Sequence, residues 1–204
     1  MIKNIIFDLG GVLIDHNPEK TLYAYFKKED ADIVLKEIFR NPLWLERDRG
    51  VVTSEDILRE KKALIPAEIY PKVEEMTNNF FPYMPPFEEM YDFVKELKEN
   101  GYGIYLLSNV GKEFHTVKKD IPVLELFDGF VASSDYEVVK PEPEIYNILF
   151  EKFSLVPEEC IFIDDVQKNI DGALKAGMHG HCYSHGKLEI LKKDLRENYN
   201  LTSS

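Results

Sequence analysis

Four short apolar segments, Asn4 to Phe7, Ile104 to Leu107, Phe130 to Ala132 and Cys160 to Ile163, constrain this chain most. Each is too short, and too rich in β-branched or aromatic residues, to argue for a helix. Three of them run directly into polar side chains: Asp8 follows the first, Ser108-Asn109 the second and Asp164-Asp165 the fourth. A weaker fifth strand is expected over Met178 to Tyr183. Between the strands lie helical patterns, one through Phe87, Met90, Tyr91, Val94 and Leu97, another through Ile145, Leu149, Phe150 and Phe153. Leu188, Leu191 and Leu195 mark a closing helix, after which Asn198 to Ser204 reads as a frayed tail. Strands alternating with helices predict an α/β, Rossmann-like fold with a parallel sheet.

Residues 17 to about 82 break the alternation. No strand signal occurs there, and the charged, aromatic-rich sequence reads as several helices, one capped by Ser54 with Glu55 and Asp56 in its first turn. Asn17-Pro18 marks the entry to this inserted helical subdomain. Phe81-Pro82-Tyr83-Met84-Pro85-Pro86 marks its exit, where prolines exclude helix and impose an extended connection. The expected organisation is a core of residues 1–16 and 83–204 interrupted by a helical unit of residues 17–82.

Charge and cysteine usage narrow the partners. Lys and Arg number 25 against 37 Asp and Glu, a formal charge of −12, which would repel a nucleic-acid backbone. Two cysteines, Cys160 and Cys182, are too few for a disulfide framework and lack paired metal spacing, so both are expected to be buried small hydrophobes. No secretory signal and no apolar stretch of bilayer length occur, so a cytoplasmic protein without membrane contact, monomeric or weakly dimeric, is expected. His179, His181 and His185 lack further ligands at zinc spacing. Gly10-Gly11 lacks the third spaced glycine of a dinucleotide loop, and P-loop, Gly-x-Ser-x-Gly and His-Glu-x-x-His motifs are absent.

In an open parallel sheet the carboxyl ends of the strands line the ligand crevice, so the polar strand ends should converge. Lys140, from the loop after the third strand, joins them, held extended by Pro141 ahead of a helix start at Glu142-Pro143. Three carboxylates in one crevice repel one another unless a cation compensates, and an all-oxygen ligand set suits Mg²⁺. Alternation along the strand makes Asp165 the expected metal ligand, with Asp164 positioning water or Lys140. Ser108, Asn109 and the amides of Val110-Gly111-Lys112 are expected at a helix start, a place suited to an anion. Taken singly, Asp8 is equally a turn former, Ser108-Asn109 a helix cap, Lys140 a solvated surface lysine and Asp164-Asp165 the start of the next helix.

Phe7-Asp8-Leu9-Gly10-Gly11-Val12-Leu13-Ile14-Asp15, Leu107-Ser108-Asn109, Lys140-Pro141-Glu142-Pro143 and Ile163-Asp164-Asp165 together resemble the four ordered motifs of the haloacid dehalogenase-like hydrolases. The inserted helical unit is similar to that superfamily's first-type cap. The closest similarity is to the branch containing sugar-phosphate phosphatases and the phosphatase domain of soluble epoxide hydrolases. The resemblance implies a phosphatase acting on a small phosphorylated metabolite through an aspartyl-phosphate intermediate. Asp8 would be the nucleophile; Mg²⁺ would be held by Asp8, the Gly10 carbonyl and Asp165, with Asp164 beside them; Ser108, Asn109 and Lys140 would neutralise the phosphoryl oxygens.

One position departs from that pattern: Gly10 stands where most of these phosphatases carry a general acid/base Asp. Asp15, His16 or a residue of the cap could substitute, and if proton transfer limits the rate, Gly10→Asp should accelerate hydrolysis. Two alternatives stay open, a haloacid dehalogenase-type hydrolase and a non-catalytic phosphate-binding protein. Trp44, Arg47 and Arg49 are candidate substrate contacts from the cap, with packing of the helical unit as the rival role for Trp44.

Overall fold

The structure, a computed structural model, describes residues 1–201. Five strands, β1 (Asn4–Phe7), β2 (Gly103–Ser108), β3 (Gly129–Ala132), β4 (Cys160–Asp164) and β5 (His179–Cys182), form one sheet in the order β3-β2-β1-β4-β5. Every pairing is parallel, with Phe7 opposite Leu106 on one side and Ile163 on the other. Ser108 and Asp164 are the last residues of their strands, so the ladder itself fixes their backbones.

Side chains alternate between two cores. Ile5, Phe7, Ile104, Leu106, Ile161 and Ile163 pack with helices α6 (Glu88–Glu99) and α10 (Leu188–Tyr199). Ile6, Leu107 and Phe162 face the other layer, helices α8 (Pro143–Phe153) and α9 (Gln167–Lys175). All three are fully buried, each removal from water stabilising by about 1.5–3 kcal/mol.

Between β1 and α6 the chain is helical: α1 (Pro18–Tyr25), α2 (Lys28–Val34) running into a π-helical turn at Leu35–Phe39, α3 (Pro42–Arg49), α4 (Ser54–Lys61) and α5 (Tyr70–Asn78). Asn17 and Asn41 cap α1 and α3, accepting from the N–H of Lys20 and of Leu43 at 3.0 Å, and proline opens both helices. The cap of α4 is Thr53, not Ser54. Thr53 Oγ1 accepts from Asp56 N at 3.1 Å and Asp56 Oδ2 accepts from Thr53 N at 2.9 Å, a reciprocal pair that Ser54, three residues before Ile57, could not form. The exit is not wholly extended: Phe81–Tyr83 makes a 3₁₀ turn, and Pro86 then bridges to Ile14.

The expected fraying does not begin at Asn198, because α10 continues to Tyr199 and buried Leu201 donates its N–H to Leu195 O at 3.0 Å; positions 202–204 lie outside the described residues. Cys160 is buried as expected, but Cys182 is exposed, because β5 is an edge strand. Among the described residues no helix is long and apolar enough to cross a membrane.

Candidate active site

The sheet order reverses at β1, which has β2 on one side and β4 on the other, and such a reversal opens a crevice at the carboxyl ends of the strands. Asp8 stands at its floor, its N–H donating to Ile163 O at 2.9 Å. Carboxylate oxygens of Asp8, Asp164 and Asp165 lie within 4.8 Å of one another. Lys140 Nζ completes the cluster, 2.8 Å from Asp8 Oδ1 and 2.7 Å from Asp164 Oδ2. Asp8, Gly10, Ser108, Asn109, Lys140 and Asp165 all line one cleft of about 250 Å³. The structure thus brings together residues that stand far apart in the sequence.

The electrostatics are those of an anionic site short of positive charge. Burial pushes the Asp8 carboxyl up, Lys140 pulls it down, Asp164 adds repulsion and a hydrogen bond from Ser108 opposes it, with a raised pKa as the result. Burial disfavours the Lys140 charge, but Asp8 and Asp164 outweigh it and hold its pKa above the ordinary lysine value. One ammonium between two buried carboxylates leaves a negative excess. Asp165 feels it too: desolvation first, then Asp8 and Asp164, push its carboxyl up to about 6.

The two neighbouring acids divide their tasks. Both oxygens of fully buried Asp164 are engaged: Oδ1 accepts from Val166 N at 2.7 Å, Oδ2 from Lys140 Nζ, and Asn169 Nδ2 reaches both at 3.1 and 3.0 Å. Asp164 therefore orients Lys140, and Asn169 orients Asp164. Asp165 makes none of these contacts. Its carboxylate lies against Gly11, where a Cβ would sit 2.4 Å from Asp165 Oδ2 and where φ is +73°. Only glycine keeps this cradle open. Hard oxygen donors from Asp8 and Asp165 and an uncompensated negative charge, with Gly10 lining the same cleft, fit Mg²⁺.

Two parts of the expected anion cradle are differently employed. The Asn109 carboxamide brackets Lys140, its Oδ1 accepting from Lys140 N at 2.8 Å and its Nδ2 donating to Lys140 O at 3.2 Å. It fixes the lysine's backbone while still lining the cleft. The Val110 N–H is spent on Ser133 Oγ at 2.9 Å, and the helix that follows, α7 (Phe114–Val117), has only four residues. Among the described residues the histidines gather no ligand set: His181 pairs with Asp194 at 2.5 Å and His185 stacks on Phe87.

The helical insertion contributes Trp44 and Arg47, two of the three expected cap contacts, and Asp48, which sequence patterns did not single out. Arg47 is buried, donating to Ser54 Oγ at 3.0 Å, to Asp48 Oδ1 at 3.0 Å and to Glu113, while Trp44 stacks under its guanidinium at 4.3 Å. Trp44 both packs, against Phe39, and lines the cleft. Arg49 points elsewhere, to Glu142 at 2.6 Å. Asp48 and Glu113 also line the cleft, and burial pushes the Asp48 carboxyl up to about 7 against the pull of Arg47. Asp48 carries no motif, because it sits on a helix and reaches the site only through tertiary packing.

The chain belongs to the haloacid dehalogenase-like hydrolases, whose family pattern it matches over residues 2–177. It is 28% identical to a D-ribitol-5-phosphate phosphatase of Bacteroides thetaiotaomicron over 182 residues, covering 83% of this chain and 86% of the relative. It is 29% identical to a sesquiterpene phosphatase of Aspergillus oryzae over 185 residues, covering 87% of this chain and 88% of that one. Its fold is shared with a haloacid dehalogenase-family enzyme from Bacteroides thetaiotaomicron solved in complex with magnesium and inorganic phosphate, at a TM-score of 0.71 and 26% identity, over 91% of this chain and 96% of the other.

Proposed function

We propose that the chain is a Mg²⁺-dependent phosphatase that hydrolyses small phosphomonoesters through a phosphorylated Asp8. The observation that carries this reading is the Asp8 carboxylate at the cleft floor, paired with Lys140 through one oxygen and crowded by two further acids. The other Asp8 oxygen is left to attack phosphorus in line, and Lys140 and Ser108 hold the nucleophile in place. Lys140 also offers a fixed positive charge to the equatorial phosphoryl oxygens, where phosphoryl transfer most needs it. Mg²⁺, held by Asp8, Asp165 and the Gly10 carbonyl, would supply Lewis-acid neutralisation of the phosphoryl charge. Helices α1 to α5 serve as the cap whose aromatic and charged side chains choose the leaving group, and a sugar or polyol phosphate suits the mixture of Trp44 and Asp48 from the cap with Glu113 from the core. Free thiols at Cys160 and Cys182 suit a cytoplasmic setting.

A dehalogenase would leave the repulsion among Asp8, Asp164 and Asp165 without purpose, since displacement at carbon needs no metal. A panel of phosphomonoesters that includes D-ribitol 5-phosphate, assayed with Mg²⁺ and with EDTA, tests the reading. Turnover only with Mg²⁺, absent in Asp8→Asn, is expected; turnover of a haloacid in EDTA would replace it with the dehalogenase reading.

A further inference from the structure

Gly10 leaves no side chain two residues after Asp8 to move a proton, yet hydrolysis of a phosphoester requires one proton to reach the leaving oxygen and one to leave the attacking water. The insertion delivers another carboxyl to the same cleft. Asp48, the penultimate residue of α3, lines it together with Asp8 and Gly10. Among the described residues only its Oδ1 is hydrogen-bonded, by Arg47, so Oδ2 is available to a substrate. Its backbone is fixed against the segment after β3: Ser133 Oγ donates to Asp48 O at 2.5 Å. Two residues on, Gly50 (φ +87°) packs so tightly on Ser134 that a Cβ would lie 2.6 Å from the Ser134 carbonyl oxygen. A carboxyl held this firmly over the nucleophile's cleft is preorganised for proton transfer.

We propose that Asp48 is the proton-transfer residue of the reaction, the role that Gly10 does not fill. This rests on the phosphatase reading of the same site. In the first step an Asp8 oxygen bonds to phosphorus, the bond from phosphorus to the leaving oxygen breaks, and the Asp48 carboxyl gives that oxygen its proton. In the second step water bonds to phosphorus, Asp48 takes one of its protons, and the Asp8–phosphorus bond breaks, which restores the Asp8 carboxylate and the Asp48 carboxyl and releases phosphate.

The charges that face Asp48 are Arg47 on its own helix, Glu113 from the segment after β2 and Asp8 at the end of β1. Burial and the two carboxylates outweigh Arg47 and place the group at about 7, where both forms are populated at neutral pH. His16 shares the cleft wall, but burial and Arg47 hold its imidazole below the ordinary value, which disfavours the imidazolium that a general acid needs.

The test compares Asp48→Asn with wild type, in Mg²⁺, on D-ribitol 5-phosphate, whose alkoxide must be protonated, and on p-nitrophenyl phosphate, whose nitrophenolate need not be. Asn keeps the Oδ1 acceptor for Arg47; Asp48→Ser replaces it should that variant melt below the assay temperature. Expected is a fall of about 10²- to 10⁴-fold in kcat/KM for the alkyl ester and of less than about tenfold for the nitrophenyl ester. A burst of nitrophenolate should also appear, and the wild-type loss of alkyl-ester kcat/KM above neutral pH should vanish. Equal losses on both esters with an unchanged pH profile, or an alkyl-ester rate in the variant equal to wild type, would overturn the assignment. If wild type turns over both esters and the variant matches it, Asp48 alone is misassigned; if wild type turns over neither, the phosphatase reading falls with it.

Discussion

Lys140 Nζ lies 2.7 Å from Asp164 Oδ2, and both side chains are almost wholly inaccessible to solvent. This contact gives Lys140 a structural part beside its proposed chemical one, since it is the cation set between Asp164 and Asp8. Lys140→Met would leave two buried carboxylates unpaired, a loss of about 3–5 kcal/mol by analogy with broken buried ion pairs. Denaturant unfolding should show a much lower midpoint; an unchanged midpoint would mean that the cluster does not depend on the lysine.

Asp8 is expected to show the opposite balance between stability and activity. Its raised pKa means that its charged form is disfavoured in the fold. Asp8→Asn should therefore abolish turnover while raising the melting temperature measured in EDTA, as expected of a site that holds destabilising charge for function. A variant that melts below wild type in EDTA would contradict this balance.

Gly10→Asp is expected not to accelerate hydrolysis by itself, in contrast to what the motif comparison alone predicts. A Cβ at residue 10 would lie 3.0 Å from His16 Cβ and 3.3 Å from His16 Cγ, so the imidazole must move. Overpacking of this kind costs about 1–3 kcal/mol, and the single variant should be less stable and no faster than wild type. Gly10→Asp combined with His16→Ala, which removes the Cγ and Nδ1 contacts but keeps Cβ, should recover part of the stability and exceed the rate of Gly10→Asp alone. Steady-state assays beside melting curves separate the two effects.

Metal binding should depend on pH through Asp165. Its folded value of about 6 lies above the ordinary 3.8, so without metal the folded site keeps this proton as pH rises until near 6, and ionisation there disfavours the fold. A divalent ion needs the carboxylate, and protons compete with it below that pH. The rise in melting temperature on adding Mg²⁺ should be larger at pH 7.5 than at pH 5.5. Gly11→Ala, whose methyl would press on Asp165, should reduce that rise at both values.

The sheet and the floor of the site were legible because two local signals coincided there. Each buried strand is an apolar run, and Asp8, Ser108 and Asp164 stand where the run stops and the ladder ends. Parallel topology then converts sequence order into proximity. What depends on side chains meeting across layers was not legible. Asn109 points at the Lys140 backbone, Arg47 and Glu113 meet between an inserted helix and a core loop, and Asp48 reaches the cleft through the close approach of Gly50 to Ser134. Thr53 and Ser54 are adjacent hydroxyls, and only the distance to Asp56 decides between them.

Trapping the covalent intermediate tests the role of Asp8 most directly. Wild type turning over p-nitrophenyl phosphate in Mg²⁺ is quenched in acid, reduced with borohydride and digested, and the peptide containing residue 8 is analysed by mass spectrometry. Reduction of phosphorylated Asp8 to homoserine, absent without Mg²⁺ and absent in Asp8→Asn, is the expected result. Steady turnover with residue 8 unmodified, or with the modification on another carboxylate, would contradict it.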